Sequence, residues 1–374
     1  MKIYLKQNVF DAALDRIRLL FDEFPNVIVN ISGGKDSTVV LNLALIVAEE
    51  KKRLPLNVLF IDQEAEWQTV IDHIRVVMAD PQIKPYWLQV PIKIFNATST
   101  LEPWLQCWED GKEWMREKEL GSIHENKYGT DRFAQMFDGF IANMFPDQKA
   151  CYLAGVRTEE TPMRFLGLTG HNTYNGITWG KIINRKVGHY SFYPIYDWSY
   201  TDVWKSIHDN KWSYCKIYDY MYQQGVQINK MRVSNLHHET AVHALFYLQE
   251  IEGETWSKLT KRLSGINSVT HIGNEFLCPH DLPFMFETWR DYRDYLLENL
   301  ISDKQNKDDL AKMFASDDGK YDDNALVDLV RKQISIIMTN DFHGTKMGSF
   351  HSSHLNNRKN RIASSTDFHG RGYD

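Results

Sequence analysis

The sequence predicts an α/β protein on a doubly wound, mainly parallel sheet, followed by a mostly helical region. Three observations carry that expectation. Apolar runs of strand length alternate with helix-length stretches through the N-terminal quarter, and parallel strands need such crossovers. A glycine turn, Ser32-Gly33-Gly34-Lys35-Asp36-Ser37, joins one apolar run directly to the next helix-like run. From about residue 226 onward the apolar positions keep helical spacing instead.

Taken in order, Phe10, Leu14, Ile17, Phe21 and Phe24 recur at helical spacing, and Pro25 ends that helix. Val27–Ile31 reads as a buried strand, residues 36–50 as a helix, and Asn57–Ile61 as a second strand ending in Asp62. A helix over about 66–79 and a strand near Tyr86–Val90 continue the alternation. Residues 92–148, rich in Trp, Glu and Lys and carrying Gly111, Gly121 and Gly129, interrupt it as an inserted helical or irregular lid. The sheet resumes at Ala150–Ala154. Helical periodicity then covers Ala241–Ile251, Trp256–Leu263, Leu282–Leu300 and Leu326–Met338. The expected organisation is an α/β domain over 1–225, a helical domain over 226–341 and a polar, basic tail over 342–374.

Composition narrows the function classes. At 43% hydrophobic and 25% charged residues, the chain has the make-up of a soluble globular protein. A net charge of −6 argues against wholesale coating of nucleic acid, although a local basic face stays open. The stretch Met1 to Gln7 shows no apolar signal-peptide region. The longest near-apolar stretch, Val39–Ala48, is too short to span a bilayer and contains Asn42. Cys107, Cys151, Cys215 and Cys278 lie far apart with no CxxC, so reduced thiols in a cytoplasmic protein are expected.

A strand, a tight glycine turn and a helix N-terminus together make a site for a polyphosphate. Backbone N–H groups converge there, the helix dipole favours negative charge, and Gly33 and Gly34 permit close approach. Lys35 adds a point charge, and Ser32 and Ser37 add hydroxyls. The loop is not a Walker A motif, because Asp36 rather than Ser or Thr follows the lysine. No GxGxxG occurs, which removes the dinucleotide fingerprint.

SGGKDS resembles the PP-loop of the ATP pyrophosphatases, which have the HUP-type nucleotide-binding fold. That superfamily includes the phosphoadenosine phosphosulfate (PAPS) reductases, the ATP sulfurylase small subunit and a DNA-phosphorothioation protein. The resemblance implies that residues 32–37 grip the phosphates of ATP, or the 3′-phosphate region of PAPS. Members that use ATP break it between the α and β phosphates.

Gly155-Val156-Arg157-Thr158-Glu159-Glu160-Thr161-Pro162-Met163-Arg164 follows the strand ending at Ala154. Two guanidiniums seven residues apart can clamp an anion, or can pair structurally with Glu159 or Glu160. The stretch is similar to the GxRxxExxxR segment of the PAPS reductases, which implies that Gly155, Arg157 and Arg164 face the nucleotide. Tyr193-Pro194-Ile195-Tyr196-Asp197-Trp198-Ser199 through Trp204 resembles a further segment of the same group. There Ser199 or Thr201 reads as a helix cap, Asp197 as a partner for Arg157 or Lys181, and Trp198 and Trp204 as core. Asp62, at the end of the second strand, is a candidate Mg²⁺ ligand with Asp36, and equally a helix-capping acid with Glu64 and Glu66.

The chain departs from the thiol-dependent PAPS reductases. It has no C-terminal Glu-Cys-Gly-Leu-His, and its last cysteine is Cys278, within Phe276-Leu277-Cys278-Pro279-His280. Paired cysteines for an iron–sulfur cluster are also missing. Met231-Arg232-Val233-Ser234-Asn235-Leu236-His237-His238-Glu239 and Ile337–Asp341 to Lys346-Met347-Gly348 resemble a subgroup of PAPS-reductase-like proteins, the immunoglobulin-binding regulator A (IbrA) type. That subgroup is often found beside a ParB/sulfiredoxin-like partner in phages and mobile elements. His237, His238 and Glu239 read as interface residues more readily than as metal ligands, because adjacent histidines do not share a helical face. Lys346, Arg358, Lys359, Arg361 and Arg371 suit an arm on a phosphate backbone or a solvated terminus.

The resemblance implies an enzyme that binds ATP (or PAPS) with Mg²⁺ and adenylates an unknown acceptor, Lys35, Arg157 and Arg164 acting electrostatically. Two alternatives stand beside it. One is PAPS reduction with Cys278 or an external thiol. The other is a nucleotide-sensing regulator acting with the ParB-like partner or with DNA and turning nothing over.

Overall fold

The computed structural model describes residues 5–96, 104–228, 231–233, 235–237, 242–263, 266, 281–318, 323–342, 344 and 347. Two compact units result. The first comprises Met1–Ile94, Gln106–Leu236 and His243–Arg262, and the second Phe95–Leu105, His237–Val242 and Leu263–Asp374.

In the first unit the chain runs α1 (Val9–Glu23), β1 (Asn26–Asn30), α2 (Lys35–Glu50), β2 (Leu56–Ile61), α3 (Gln68–Met78) and β3 (Ile83–Leu88). Next come the short strands β4 (Ile92–Phe95) and β5 (Trp104–Cys107), of which Phe95, Trp104 and Leu105 are counted in the second unit, then α4 (Phe133–Met144) and β6 (Ala150–Leu153). A 3₁₀ turn (Thr158–Glu160) leads into α5 (Pro162–Thr169), β7 (Gly180–Asn184), β8 (His189–Phe192), α6 (Tyr200–Asp209) and α7 (Ile217–Gln223). Helices α8 (Val242–Ile251) and α9 (Gly253–Arg262) close the unit.

Six strands form one sheet in the order β3-β2-β1-β6-β8-β7, parallel except for β7, which pairs antiparallel with β8. β1 sits between β2 and β6, with Ile28 opposite Asn57 on one side and Asn26 opposite Ala150 on the other. Val27, Ile28 and Val29 are buried, as are all four residues of β6 and of β8, because helices cover both faces. The chain winds outward from β1 through β2 to β3, then restarts on the other side at β6. The order therefore reverses between β1 and β6, and sheets of this kind bind ligands at such a point, beyond the carboxyl ends of the strands.

Local rules explain most boundaries. Asn8 caps α1 by accepting from the Asp11 N–H, and Ala13, Leu14, Ile17, Leu20 and Phe21 form its buried face. Ser199, one of the two expected caps, forms a capping box with Asp202. β3 begins three residues earlier than the apolar pattern suggests and includes the exposed Lys84 and Pro85. A proline lacks an N–H, so it is tolerated here only because β3 is an edge strand.

The insertion after residue 92 contributes the two-stranded sheet β4–β5 and the amphipathic helix α4, whose Met136, Phe140 and Ile141 are buried. Its residues 108–123 pack over the ends of β2 and β3 rather than standing apart. The first unit also takes in residues 243–262, which the sequence reading assigns to the helical region. Glu252 anchors them by accepting from the N–H groups of Gln68 and Thr69 at 2.7 and 2.8 Å, and so caps α3.

The second unit is helical: α10 (Trp289–Leu300), α11 (Lys304–Asp318) and α12 (Asp323–Met338). Leu296, Leu310, Phe314, Leu329, Ile334 and Ile337 form its core. Buried Arg293 is held there by Asp318 at 2.9 Å and Gln333 at 2.7 Å. His237, within the same unit, is fully buried, and its Nδ1 donates to the Phe95 carbonyl at 3.0 Å. His238, Glu239, Cys278, Lys346, Arg358, Lys359, Arg361 and Arg371 lie outside the described residues.

Candidate functional site

Ser32–Ser37 occupies the turn between β1 and α2, at the edge of the sheet where the strand order reverses. Gly33 has φ +71°, and a Cβ there would stand 2.6 Å from Val70 Cγ1, so the position needs glycine twice over. Gly34 is the N-cap of α2 and offers no side chain to bond the first-turn N–H groups. Those of Asp36 and Ser37 have no acceptor within the helix, and they are what an anion would take up.

Hydroxyls brace the loop. Ser37 Oγ donates to the Gly34 carbonyl at 2.9 Å and accepts from the Ser32 N–H at 3.2 Å. With that proton committed, the 3.1 Å contact between the two serine hydroxyls is a donation from Ser32. Lys35 is buried, and its Nζ pairs with Asp36 at 2.9 Å.

The segment after β6 meets this loop directly. A Cβ on Gly155 would stand 2.5 Å from the Asp36 carbonyl carbon and 2.6 Å from the Ser37 nitrogen, so only glycine lets the two turns touch. Buried Arg157 donates from Nε to Asp36 at 2.5 Å and from a terminal nitrogen to Glu159 at 2.8 Å. Asp36 thus joins Lys35 and Arg157, bringing together residues 121 positions apart. Arg164, at the start of α5, is paired with Glu160 and 41% exposed. Its guanidinium is the solvent-facing charge of the set, whereas Arg157 is the enclosed one.

Asp62 is placed differently from the expectation. It lies at the same edge of the sheet, but its carboxylate is fully buried and enclosed by donors. Arg116 contacts both oxygens at 2.5 Å, the Glu64 N–H reaches one at 2.9 Å, and Trp87 Nε1 and Gln89 Nε2 reach the other at 2.9 and 3.0 Å. Asp36 likewise has one oxygen on Lys35 and the other on Arg157. Metal ligation by Asp36 and Asp62 does not fit these surroundings, because each oxygen already faces a cation or an N–H donor. Among the described residues no group of three His, Cys, Asp or Glu side chains is placed to hold a metal ion.

Around Asp62 lies a network that the sequence did not announce. Glu64, at φ +62°, is fully buried and takes Arg262 Nε at 2.7 Å and the Trp108 N–H at 2.7 Å. Three buried acids, Asp62, Glu64 and Glu66, therefore face two guanidiniums, Arg116 and Arg262. Glu66 absorbs the imbalance: burial first, and the Asp62 charge second, push its carboxyl up to about 8.

Asp197 pairs with Arg16 of α1 at 2.6 and 2.7 Å, not with Arg157 or Lys181. The Arg16 guanidinium also lies 4.7 Å from the Tyr196 ring centre, so this pair clamps α1 to the segment after β8. Trp198 is fully buried and donates to the Val9 carbonyl, the core role expected of it. Cys107, Cys151 and Cys215 are buried free thiols, and burial raises all three, Cys215 to about 12. No helix among the described residues is long and apolar enough to cross a membrane.

The profile of the phosphoadenosine phosphosulfate reductase domain matches residues 26–224, which hold the whole sheet and both halves of the phosphate loop site. The chain belongs to the PAPS reductase domain family. A domain of unknown function (DUF3440) matches residues 225–360. The uncharacterized protein YbdN of Escherichia coli K12 is 30% identical over 278 residues, 71% of this chain and 68% of YbdN. Solved structures are similar over part of the chain at low identity. FMN adenylyltransferase of Candida glabrata with FMN and the ATP analogue AMPCPP has a TM-score of 0.38 at 15% identity, covering 63% of this chain and 66% of that one. PAPS reductase of Candida auris has a TM-score of 0.32 at 14% identity, covering 63% and 98%. The chain thus spans just under two thirds of the adenylyltransferase. As a PAPS reductase-like protein it carries a nucleotide-binding domain of the PP-loop type.

Proposed function

We propose that this chain binds ATP at Ser32–Ser37 and transfers its adenylyl group to an acceptor with release of pyrophosphate. The observation that carries the reading is the loop itself: an α2 N-terminus whose Asp36 and Ser37 N–H groups have no helix acceptor, with Lys35, Ser32, Ser37 and Arg157 converging where the strand order reverses. In the reaction a nucleophile of the acceptor attacks the α-phosphorus, the bond to the bridging oxygen breaks, and the electron pair leaves on pyrophosphate. Lys35 and the first-turn N–H groups of α2 stabilise the departing pyrophosphate. Arg157, and Arg164 from the exposed side, offset charge on the α-phosphate. No protein nucleophile is required, since positioning and electrostatics supply the catalysis. The divalent cation enters with the substrate, as MgATP.

Incubation with MgATP labelled at the α-phosphate tests the reading. Labelled AMP or an adenylated product, lost in Lys35→Ala, is the expected result. Intact ATP after prolonged incubation with intact protein overturns turnover, and saturable binding without product favours the nucleotide-sensing regulator.

Family membership favours a second reading, PAPS reduction to sulfite by an external thiol. The three described cysteines do not serve as its nucleophile, because burial keeps each as the thiol. Sulfite formed from PAPS and a dithiol, unchanged by Cys278→Ser, would establish it. Partnership with a ParB/sulfiredoxin-like protein, or contact with nucleic acid through the tail, belongs to the acceptor question in either case.

A further inference from the structure

Tyr218, on α7, reaches the phosphate loop from 183 residues away. Its hydroxyl accepts the Lys35 N–H at 3.0 Å, taking one of the first-turn donors of α2. The ring lies 5.5 Å from Lys35 Nζ and packs edge-on against Trp204 at 5.2 Å, so the phenol is held from two sides. The side chain is buried, and burial pushes the phenol far above its ordinary range, with the Lys35 N–H opposing. The hydroxyl therefore keeps its proton. Among the described residues nothing accepts that proton: Tyr218 is an acceptor toward the loop and an uncommitted donor.

The missing side chain of Gly34 leaves methyl-sized room beside this hydroxyl. An atom one bond out from the Gly34 Cα, where a Cβ would stand, lies 3.4 Å from Ser32 Oγ and 3.5 Å from Tyr218 Oη, and no other atom outside the loop's own turn comes within 4 Å. The bare Gly34 Cα thus leaves a notch of methyl size, bordered by two hydroxyls, at the N-terminus of α2. Helix capping alone would not need it: Gly34 is at φ −76°, ψ 156°, which any residue adopts, yet the position carries no side chain.

We propose that Tyr218 is part of the phosphate cradle, donating its hydroxyl proton to a polyphosphate oxygen seated over Gly34, with Ser32 on the other side. The Lys35 N–H polarises the phenol toward stronger donation. Tyr218 is thereby a binding residue that acts on the ligand, in addition to bracing the loop. The inference rests on the reading that Ser32–Ser37 holds a polyphosphate.

Pyrophosphate titration by calorimetry, on the full chain, tests both layers. Tyr218→Phe removes one oxygen and keeps the ring; Gly34→Ala fills the notch at ordinary contact distances. Pyrophosphate affinity is expected to fall about tenfold or more in Tyr218→Phe, through loss of a hydrogen bond to a charged group, and at least as far in Gly34→Ala, through the methyl group holding the ligand oxygen off both hydroxyls. Thermal melting of the ligand-free variants checks that both are folded. If Tyr218 only capped Lys35, Tyr218→Phe would free an N–H donor, and pyrophosphate would bind as well as before or more tightly; that result overturns the inference. Should wild type bind and Lys35→Ala fail while both variants bind normally, only the role of Tyr218 falls. Should wild type bind neither pyrophosphate nor MgATP, the polyphosphate reading falls with it.

Discussion

Replacing Glu66 with glutamine isolates the charge imbalance beneath the end of β2. The carboxyl titrates near 8 in the fold against 4.5 for an ordinary glutamate, because burial and the neighbouring Asp62 charge both oppose ionisation. The folded state therefore holds this proton more tightly than the unfolded chain does. The stabilisation is fully present below the lower value and is lost as pH rises toward the upper one. Between them folding weakens by about 1.4 kcal/mol per pH unit from this group, on the order of 4–5 kcal/mol across the window. A glutamine side chain at this position would keep the shape of the protonated acid and remove its titration. Urea unfolding of wild type and Glu66→Gln at about pH 5 and about pH 8 measures the difference. The variant is expected to match wild type at the lower pH within about 1 kcal/mol and to exceed it by several kcal/mol at the higher. Equal stabilities at both pH values would refute the reasoning, since Glu66 would then ionise in the fold without cost.

Gly155→Ala should prevent the two halves of the loop site from closing, because the clashing atoms are backbone of Asp36 and Ser37. A stability loss of about 3 kcal/mol and loss of pyrophosphate binding are expected. Gly111→Ala, at φ +78° with open space around it, is the control and should cost only about 1–2 kcal/mol. Asp197→Asn should lower the unfolding free energy by about 1–2 kcal/mol through the Arg16 clamp, while kcat and KM for whichever nucleotide reaction is found stay unchanged. A selective fall in kcat would give Asp197 the catalytic part that its position argues against.

The phosphate loop and the β-α-β order were legible because their signals are local: an apolar run, two glycines and a helix start lie in consecutive residues. Gly155 and Arg157 were legible as a motif, but their contact with Asp36 was not, since no spacing rule pairs residues 121 apart. Asp62 illustrates the limit. An acid at a strand end near phosphates suits a metal, and only the fold reveals Arg116 and the Glu64, Trp87 and Gln89 donors around it. Tyr218 left no trace in the sequence, one tyrosine among several aromatics on a short helix. Glu64 was legible only as a candidate helix-capping acid beside Asp62 and Glu66, not as a carboxylate buried against Arg262.

The pairing of β1 with β6 has a consequence for how the protein comes into being. Ser32–Ser37 leaves the ribosome long before Gly155, Arg157 or Tyr218 has been made. A nascent chain therefore carries the glycine turn without the partners that enclose it, and the central strand waits with one edge open until β6 arrives. On the proposed reading of the site, nucleotide capture becomes a test of completed synthesis: a chain truncated before α7 offers a loop without Tyr218 to complete the cradle.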